Sequence, residues 1–122
     1  MASTPTATRS TMAKIIPIEI SVTDISSDNY KILRSFAPFG MGNPEPEFVI
    51  KGIATKNLTY ISFGKHISVR LTMNTKILGF NMPEEEVSKY LYINIYGNLI
   101  ETSFKGYNSI EFRINSYKDA II

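Results

Sequence analysis

The sequence predicts a mainly-β domain: a five-stranded barrel with one short inter-strand helix, preceded by a strand-helix lead-in. Three observations carry this. Apolar residues recur at every second position in several segments, most cleanly over His66 to Met73 and Tyr90 to Ile100, and that is the period of a strand. From Phe48 onward one segment, Pro83-Glu84-Glu85-Glu86, breaks the β pattern with a helix-start signal. A stretch dense in glycine and proline, Pro38 to Phe48, separates the lead-in from the rest.

Composition bounds the answer. A chain of 122 residues makes one domain, long enough for a real core. Apolar content of 43% and charged content of 20% are those of an ordinary soluble globular protein. With no cysteine, disulfides and thiolate metal sites are excluded, and a reducing cytoplasm is the expected compartment. No apolar run approaches the ~20 residues of a membrane span, and no signal peptide is visible, so no membrane partner is expected. Net charge is +2, but its distribution is uneven. From Phe48 to Pro83 there is no acid, while Lys51, Lys56, Lys65, Arg70 and Lys76 give +5, leaving −3 for the remainder. Such asymmetry predicts a surface that faces a polyanion; the alternative is five scattered, solvated cations.

Taken in order, residues 1–12 are rich in Ser, Thr and Ala without apolar period, which predicts a disordered leader; 13–122 are assigned to the single domain. Lys14 to Asp24 alternates, with Ile16, Ile18, Ile20 and Val22 on one side. That predicts a half-buried strand, at a sheet edge because Pro17 cannot donate to a ladder. Ser26 or Ser27 then starts a helix, with Asp28 in its first turn and Ile25, Ile32, Leu33 and Phe36 on one face. Ala37 precedes Pro38, so the helix ends there. Gly40 and Gly42 bracket Met41, predicting positive φ in a sharp turn, and Pro44 and Pro46 stiffen the arm beyond it. Phe36, Phe39 and Phe48 are the expected apolar anchors of this turn.

Phe48 to Phe63 reads as one long strand, bent or bulged near Gly52 and again at Lys56-Asn57. Gly64-Lys65 turns into His66 to Met73, with Ile67, Val69, Leu71 and Met73 inward and His66, Ser68, Arg70 and Thr72 outward. Asn74-Thr75 turns into Lys76 to Phe80. After the helix, Tyr90 to Ile100 places Leu91, Ile93, Ile95 and Leu99 on one face and Tyr90, Tyr92 and Tyr96 on the other. A turn over Thr102 to Asn108 leads to a last strand, Ser109 to Ser116, with Ile110, Phe112 and Ile114 inward. Five strands with a helix between the third and fourth is the order of an OB-fold, and barrel closure would remove the open edges. An SH3-like barrel is the alternative, and no repeat of ~20–50 residues suggests a solenoid.

The stretch Pro38-Phe39-Gly40-Met41-Gly42-Asn43-Pro44-Glu45-Pro46-Glu47-Phe48 resembles the signature that opens the C-terminal OB-fold domain of the RecJ family, bacterial exonucleases specific for single-stranded DNA. Gly64-Lys65-His66-Ile67 is similar to that family's Gly-x-His-Leu segment, and Phe104-Lys105-Gly106 to its late aromatic-x-Gly turn. Ser68 stands where the family's pattern has Lys, and Ser103 where it has Asn. The resemblance implies an accessory domain of a DNA repair and recombination nuclease of the bacterial cytoplasm, monomeric in isolation. Its implied partners are single-stranded DNA and the catalytic domains of the parent exonuclease. The parent's core, with its Asp-His-His motif and further His and Asp ligands, is expected to use manganese or magnesium.

This chain has a single His, no Cys and no phosphate-loop or dinucleotide glycine pattern. It is therefore predicted to be no enzyme by itself and to carry no cofactor. The acid run Glu84-Glu85-Glu86 is not read as a metal site, because adjacent helical carboxylates fan out around the axis. Single strands are bound by cations that follow phosphates and aromatics that stack bases. OB-folds do this on strands two and three and the flanking loops. Here those regions supply Lys65, His66, Arg70, Lys76, Phe104, Lys105 and Tyr107 as candidate nucleic-acid-binding residues, with Ser68 beside them. Tyr92 and Tyr96 are further stacking candidates, against a packing alternative. His66 has the alternative of an ordinary hydrogen-bonded surface residue. A second function class stays open: a protein-interaction module docking on the nuclease core or on another repair protein.

Overall fold

The structure, a computed structural model, describes residues 16–40 and 42–120. The predicted leader, 1–12, lies outside the described residues. The strands are β1 (Ile18–Glu19), β2 (Phe48–Ala54), β3 (Tyr60–Ile61), β4 (His66–Thr72), β5 (Thr75–Gly79), β6 (Tyr92–Phe104) and β7 (Tyr107–Asp119). The helices are α1 (Ser27–Arg34) and α2 (Glu84–Val87). All seven strands form one sheet in the order β1-β2-β6-β7-β5-β4-β3.

The expected closed barrel of five strands is thus replaced by an open sheet of seven. Both additional strands have a local cause. β3 is the far end of the predicted long strand, cut off from β2 by a 3₁₀ turn over Thr55–Asn57. The Thr55 hydroxyl donates to the Tyr90 carbonyl at 2.5 Å, which fixes that corner. The expected bulge near Gly52 is present as a register shift between Ile50 and Ile53. β2 and β3, which lie on opposite sides of the central β6–β7 pair, therefore belong to one bent segment of chain. β1, the second addition, pairs in parallel with β2 through Ile18 and Glu19.

Among the described residues, β1 is far shorter than the strand predicted over Lys14 to Asp24, whose first two residues lie outside them. Pro17 has no N–H, and the Asp24 carboxylate accepts from the Ser21 N–H at 2.8 Å, turning the chain into a 3₁₀ turn at Val22–Asp24. Ile16, Ile18 and Val22 are exposed instead of buried. α1 begins as expected: the Ser26 hydroxyl accepts from the Asn29 N–H at 3.1 Å. Its buried side is narrower than its pattern. Ile25 and Leu33 enter the core, while Ile32 and Phe36 remain exposed.

In the turn after α1, Met41 lies outside the described residues. Gly40 and Asn43 exchange backbone hydrogen bonds of 2.8 and 3.1 Å, and Gly40 takes no positive φ. The Asn43 amide donates to the carbonyls of Phe36 (2.7 Å) and Pro38 (3.0 Å), tying the helix end to the arm. Arg34 adds an ion pair to Glu45 at 3.6 Å and lies 5.1 Å above the Phe39 ring.

The core sits on the inward face of β2, β4, β5, β6 and β7. Ile67, Ile93, Ile95, Ile110 and Phe112 are fully enclosed, each contributing roughly 1.5–3 kcal/mol of apolar burial. Two residues predicted inward fall in turns and are exposed, Met73 before β5 and Leu91 before β6. A methyl group at Gly97 would lie 2.1 Å from the Arg113 carbonyl oxygen and 2.8 Å from the Phe112 ring, so only glycine allows β6 and β7 to approach this closely. Burial, and then the nearby Glu84 carboxylate, hold the Tyr60 hydroxyl above its ordinary pKa.

Candidate nucleic-acid interface

Strand register places the outward side chains of β4, β5 and β7 in rows. Arg70 pairs with Lys76, which pairs with Glu111; Ser68 pairs with Leu78, which pairs with Arg113. Opposed cations repel across an antiparallel pair, and Arg70 and Lys76 bring two positive charges together here. Arg70 is exposed and its guanidinium donates to the Met73 carbonyl at 3.1 Å. Glu111 is only 2% exposed, and its carboxylate accepts from Arg113 Nε at 2.8 Å and from Arg113 Nη2. Arg113 satisfies that buried charge. Three cations therefore stand against one carboxylate on this face.

Beyond the rows, β6 and β7 continue as a hairpin. Lys105 (φ 51°) and Gly106 (φ 82°) make a two-residue turn with both residues left-handed, the geometry that matches strand twist. The predicted loop over Thr102 to Asn108 is therefore mostly ladder, with Phe104 paired to Tyr107. Both rings are exposed, by 73% and 75%, and the Lys105 ammonium lies 5.3 Å above the Phe104 ring. The Ile110 N–H donates to the Asn74 carbonyl at 2.8 Å, so the hairpin's base sits beside the β4–β5 turn. Tyr107 lies three residues before Ile110, so the tip projects roughly 10 Å past that turn.

The predicted residues thus fall into two groups. Arg70 and Lys76 are cross-strand neighbours, with Phe104, Lys105 and Tyr107 on the adjoining hairpin. Lys65 and His66 lie at the other end of β4. Lys65 lines a shallow groove with Phe63, Pro83, Glu84 and Glu85, so it shares that groove with two acids. His66 Nδ1 accepts the Asn81 N–H at 2.9 Å, which places its proton on Nε2, and its ring stands edge-on to Phe80 at 5.5 Å. Lys51 is paired with Glu19 at 3.6 Å, and Lys56 sits apart beside Leu91 and Tyr92. Tyr92 is exposed on β6, and Tyr96 lies under the Lys118 ammonium at 5.4 Å. The acid-free segment is therefore acid-free along the chain but not in space.

Three residues on these surfaces were not singled out from the sequence. Arg113 was legible from phase, since it alternates with Phe112 and Ile114. Phe80 was legible as the outward continuation of Lys76 and Leu78. Phe63, fully exposed with a left-handed backbone (φ 59°), gave no such signal. Among the described residues, no group of three or more His, Cys, Asp or Glu side chains is placed to hold a metal ion.

A mainly-β sheet with a bent first segment, a short helix between β5 and β6, and aromatics exposed beside cations defines a small OB-type domain. More narrowly, the chain belongs to the RecJ OB domain family, whose model matches residues 16–116. The match covers that OB domain and no catalytic exonuclease domain. The fold is similar to that of RecJ from Thermus thermophilus in complex with Mn2+, with TM-score 0.58, 18% identity, 93% of this chain covered and 16% of that one. RecJ from the same organism in complex with Mg2+ gives TM-score 0.57, 18% identity, and coverage of 93% and 17%. The chain thus spans about a sixth of the length of the RecJ chains it matches. No curated protein sequence matches it.

Proposed function

We propose that this chain is a single-stranded-DNA binding accessory domain of a RecJ-like 5′-3′ exonuclease of DNA repair and recombination. It holds substrate for a catalytic core carried elsewhere, acts in the bacterial cytoplasm, and is a monomer in isolation. In this reading the manganese or magnesium belongs to that core, and the part of this chain is to bind the strand. The observation that carries the reading is the juxtaposition of the Arg70–Lys76 pair with the exposed Phe104–Tyr107 tip. Cations meet phosphates, and ring faces stack bases regardless of sequence. In this reading β2 and β3 act as the two arms of one bent strand that carries the chain from one side of the sheet to the other.

Titration of a labelled oligonucleotide at several salt concentrations tests it. With about three phosphates neutralised, log K should fall with log salt at a slope of roughly −2. Arg70→Ala should make the slope shallower by about 0.7 and weaken all sequences alike. Absence of binding at low salt would overturn the reading. No degradation of the oligonucleotide is expected with manganese added; cleavage that co-purifies with the protein would count against a purely accessory role.

A second reading is supported by a different surface. A groove of about 330 Å³ between β1 and α1 is lined by Ile18, Ile20, Ile32, Leu33, Phe36 and Phe48, with Asp24 and Asn29 also in its lining. It fits an apolar protein segment, and the occupant it favours is the remainder of a RecJ-like chain, since the matched RecJ carries this fold as only 16% of its length. If Arg70→Ala and Phe104→Ala both leave DNA binding unaltered, protein docking is the better account.

A further inference from the structure

Phe80 follows β5 on the outward side, and the residue is 52% exposed. An exposed phenyl ring with free rotamers loses entropy when it orders on a ligand, but this ring is held from two directions. The Arg113 guanidinium carbon lies 5.7 Å from its centroid. The His66 ring meets it edge-on, at 5.5 Å and an interplanar angle of 75°. Each holder is itself fixed. Arg113 is forked onto the buried Glu111 carboxylate through Nε and Nη2. His66 is oriented by the Asn81 N–H on Nδ1. Because Glu111 already neutralises Arg113, the guanidinium serves the ring more than a phosphate.

We propose, resting on the single-strand reading above, that Phe80 is a base-stacking platform of this interface: a nucleobase lies on the ring face opposite Arg113. Ordering the ring beforehand removes most of the entropy cost of stacking. Phe80 lies four residues from Lys76, roughly 13 Å along the strand direction. A strand lying on Phe80 and crossing Lys76 and Arg70 would then reach the Phe104–Tyr107 tip. The ligand class is a single-stranded nucleic acid read by stacking and charge, with little sequence preference.

The test uses the full chain and an oligothymidine of about 15 nucleotides, within the span one OB-type domain covers. Phe80→Leu keeps an apolar side chain and removes the π-face, and Phe80→Tyr restores the face. Phe80→Leu should weaken binding roughly tenfold with an unchanged salt slope, and Phe80→Tyr should bind like the parent chain. An oligonucleotide carrying 5-iododeoxyuridine should photocross-link to the peptide containing Phe80, and Phe80→Leu should lose that adduct. If the parent chain binds and Phe80→Leu binds equally, or the adduct forms only elsewhere, the platform is overturned while the single-strand reading stands. If the parent chain does not bind at all, both fall.

Discussion

The outward face of β4, β5 and β7 and the groove between β1 and α1 are both exposed, yet they leave opposite chemistries uncovered. The first interleaves Arg70, Lys76 and Arg113 with Phe80 and the Phe104–Tyr107 tip. The second is almost wholly aliphatic and aromatic carbon, including Ile18, Ile32 and Phe36. They also differ in how they are held. The first is fixed by the β4–β5 and β5–β7 ladders, so its rows are set by register. The second depends on a two-residue strand, a capped helix and one asparagine side chain. A face for a flexible polyanion needs ordered charges and ring faces that stay in water when empty. A groove of bare carbon gains only when water is excluded from it. One small domain thus separates two kinds of recognition onto two surfaces, and substitutions can address each alone.

The largest expected effect removes the comparison altogether. Gly97 stands where β6 passes from its pairing with β2 to its closest approach to β7. Leu99 of the groove and Arg113 of the charged face both depend on that crossing. Gly97→Ala puts a methyl group against the Arg113 carbonyl, which is backbone and cannot rotate away. A loss of about 3 kcal/mol is expected in urea denaturation, with both surfaces damaged together. An unchanged midpoint would mean that the two strands do not pack as described.

Next comes a change that should affect one surface only. Phe104→Ala removes the side chain of a residue that is 73% exposed, so its melting temperature should match the parent chain. Its affinity for an oligonucleotide should fall by roughly 1–3 kcal/mol, with the salt slope retained. A loss of stability in place of affinity would make the hairpin tip a packing element and end its role in the comparison.

What the sequence made legible divides along similar lines. Period-two alternation located β4, β6 and β7, and the Asn74-Thr75 turn located β5; the phase of Arg70 and Arg113 was readable from the alternation. The aromatic-Lys-Gly-aromatic order marked the hairpin tip, though it read as a loop because both ladder partners are polar or aromatic rather than aliphatic. Lead-in residues misled, because alternation at Ile16 to Val22 says where apolar side chains repeat and not whether anything covers them. Met73 and Leu91 misled for a related reason: each continues a strand's phase by one step into a turn. The charge asymmetry was the least transferable signal. Glu19 beside Lys51, Glu84 beside Lys65 and Glu111 beside Lys76 are all distant in sequence, and only the parallel β5–β7 pairing brings the last of them into place.

A smaller effect tests the support of the apolar groove. The Asn43 amide holds the end of α1 to the proline-rich arm with two hydrogen bonds, both exposed. Asn43→Ala should cost about 1 kcal/mol. It should disturb the groove, through Phe36 and Pro46, without altering the salt slope of DNA binding. A changed slope would show that the two surfaces are coupled and not independent.

The smallest expected effect is the most discriminating for the groove itself. Ile32 is 60% exposed and Phe36 65% exposed, although both belong to the apolar pattern of α1. If they served the fold, replacing them with a polar side chain would expose a gap and lower stability. The described residues give them little to lose: Leu33 and Ile25 make the inward contacts of this segment, and Ile32 and Phe36 stand at the groove's open side. Ile32→Gln with Phe36→Gln should therefore shift stability by no more than about 0.5 kcal/mol, the ordinary range for surface substitutions. Retention on a hydrophobic-interaction column should fall, because exposed carbon has been removed, and oligonucleotide affinity should stay unchanged. A stability loss of more than about 2 kcal/mol would place these side chains in the core, and the groove would then be a packing defect of the lead-in instead of a second recognition surface.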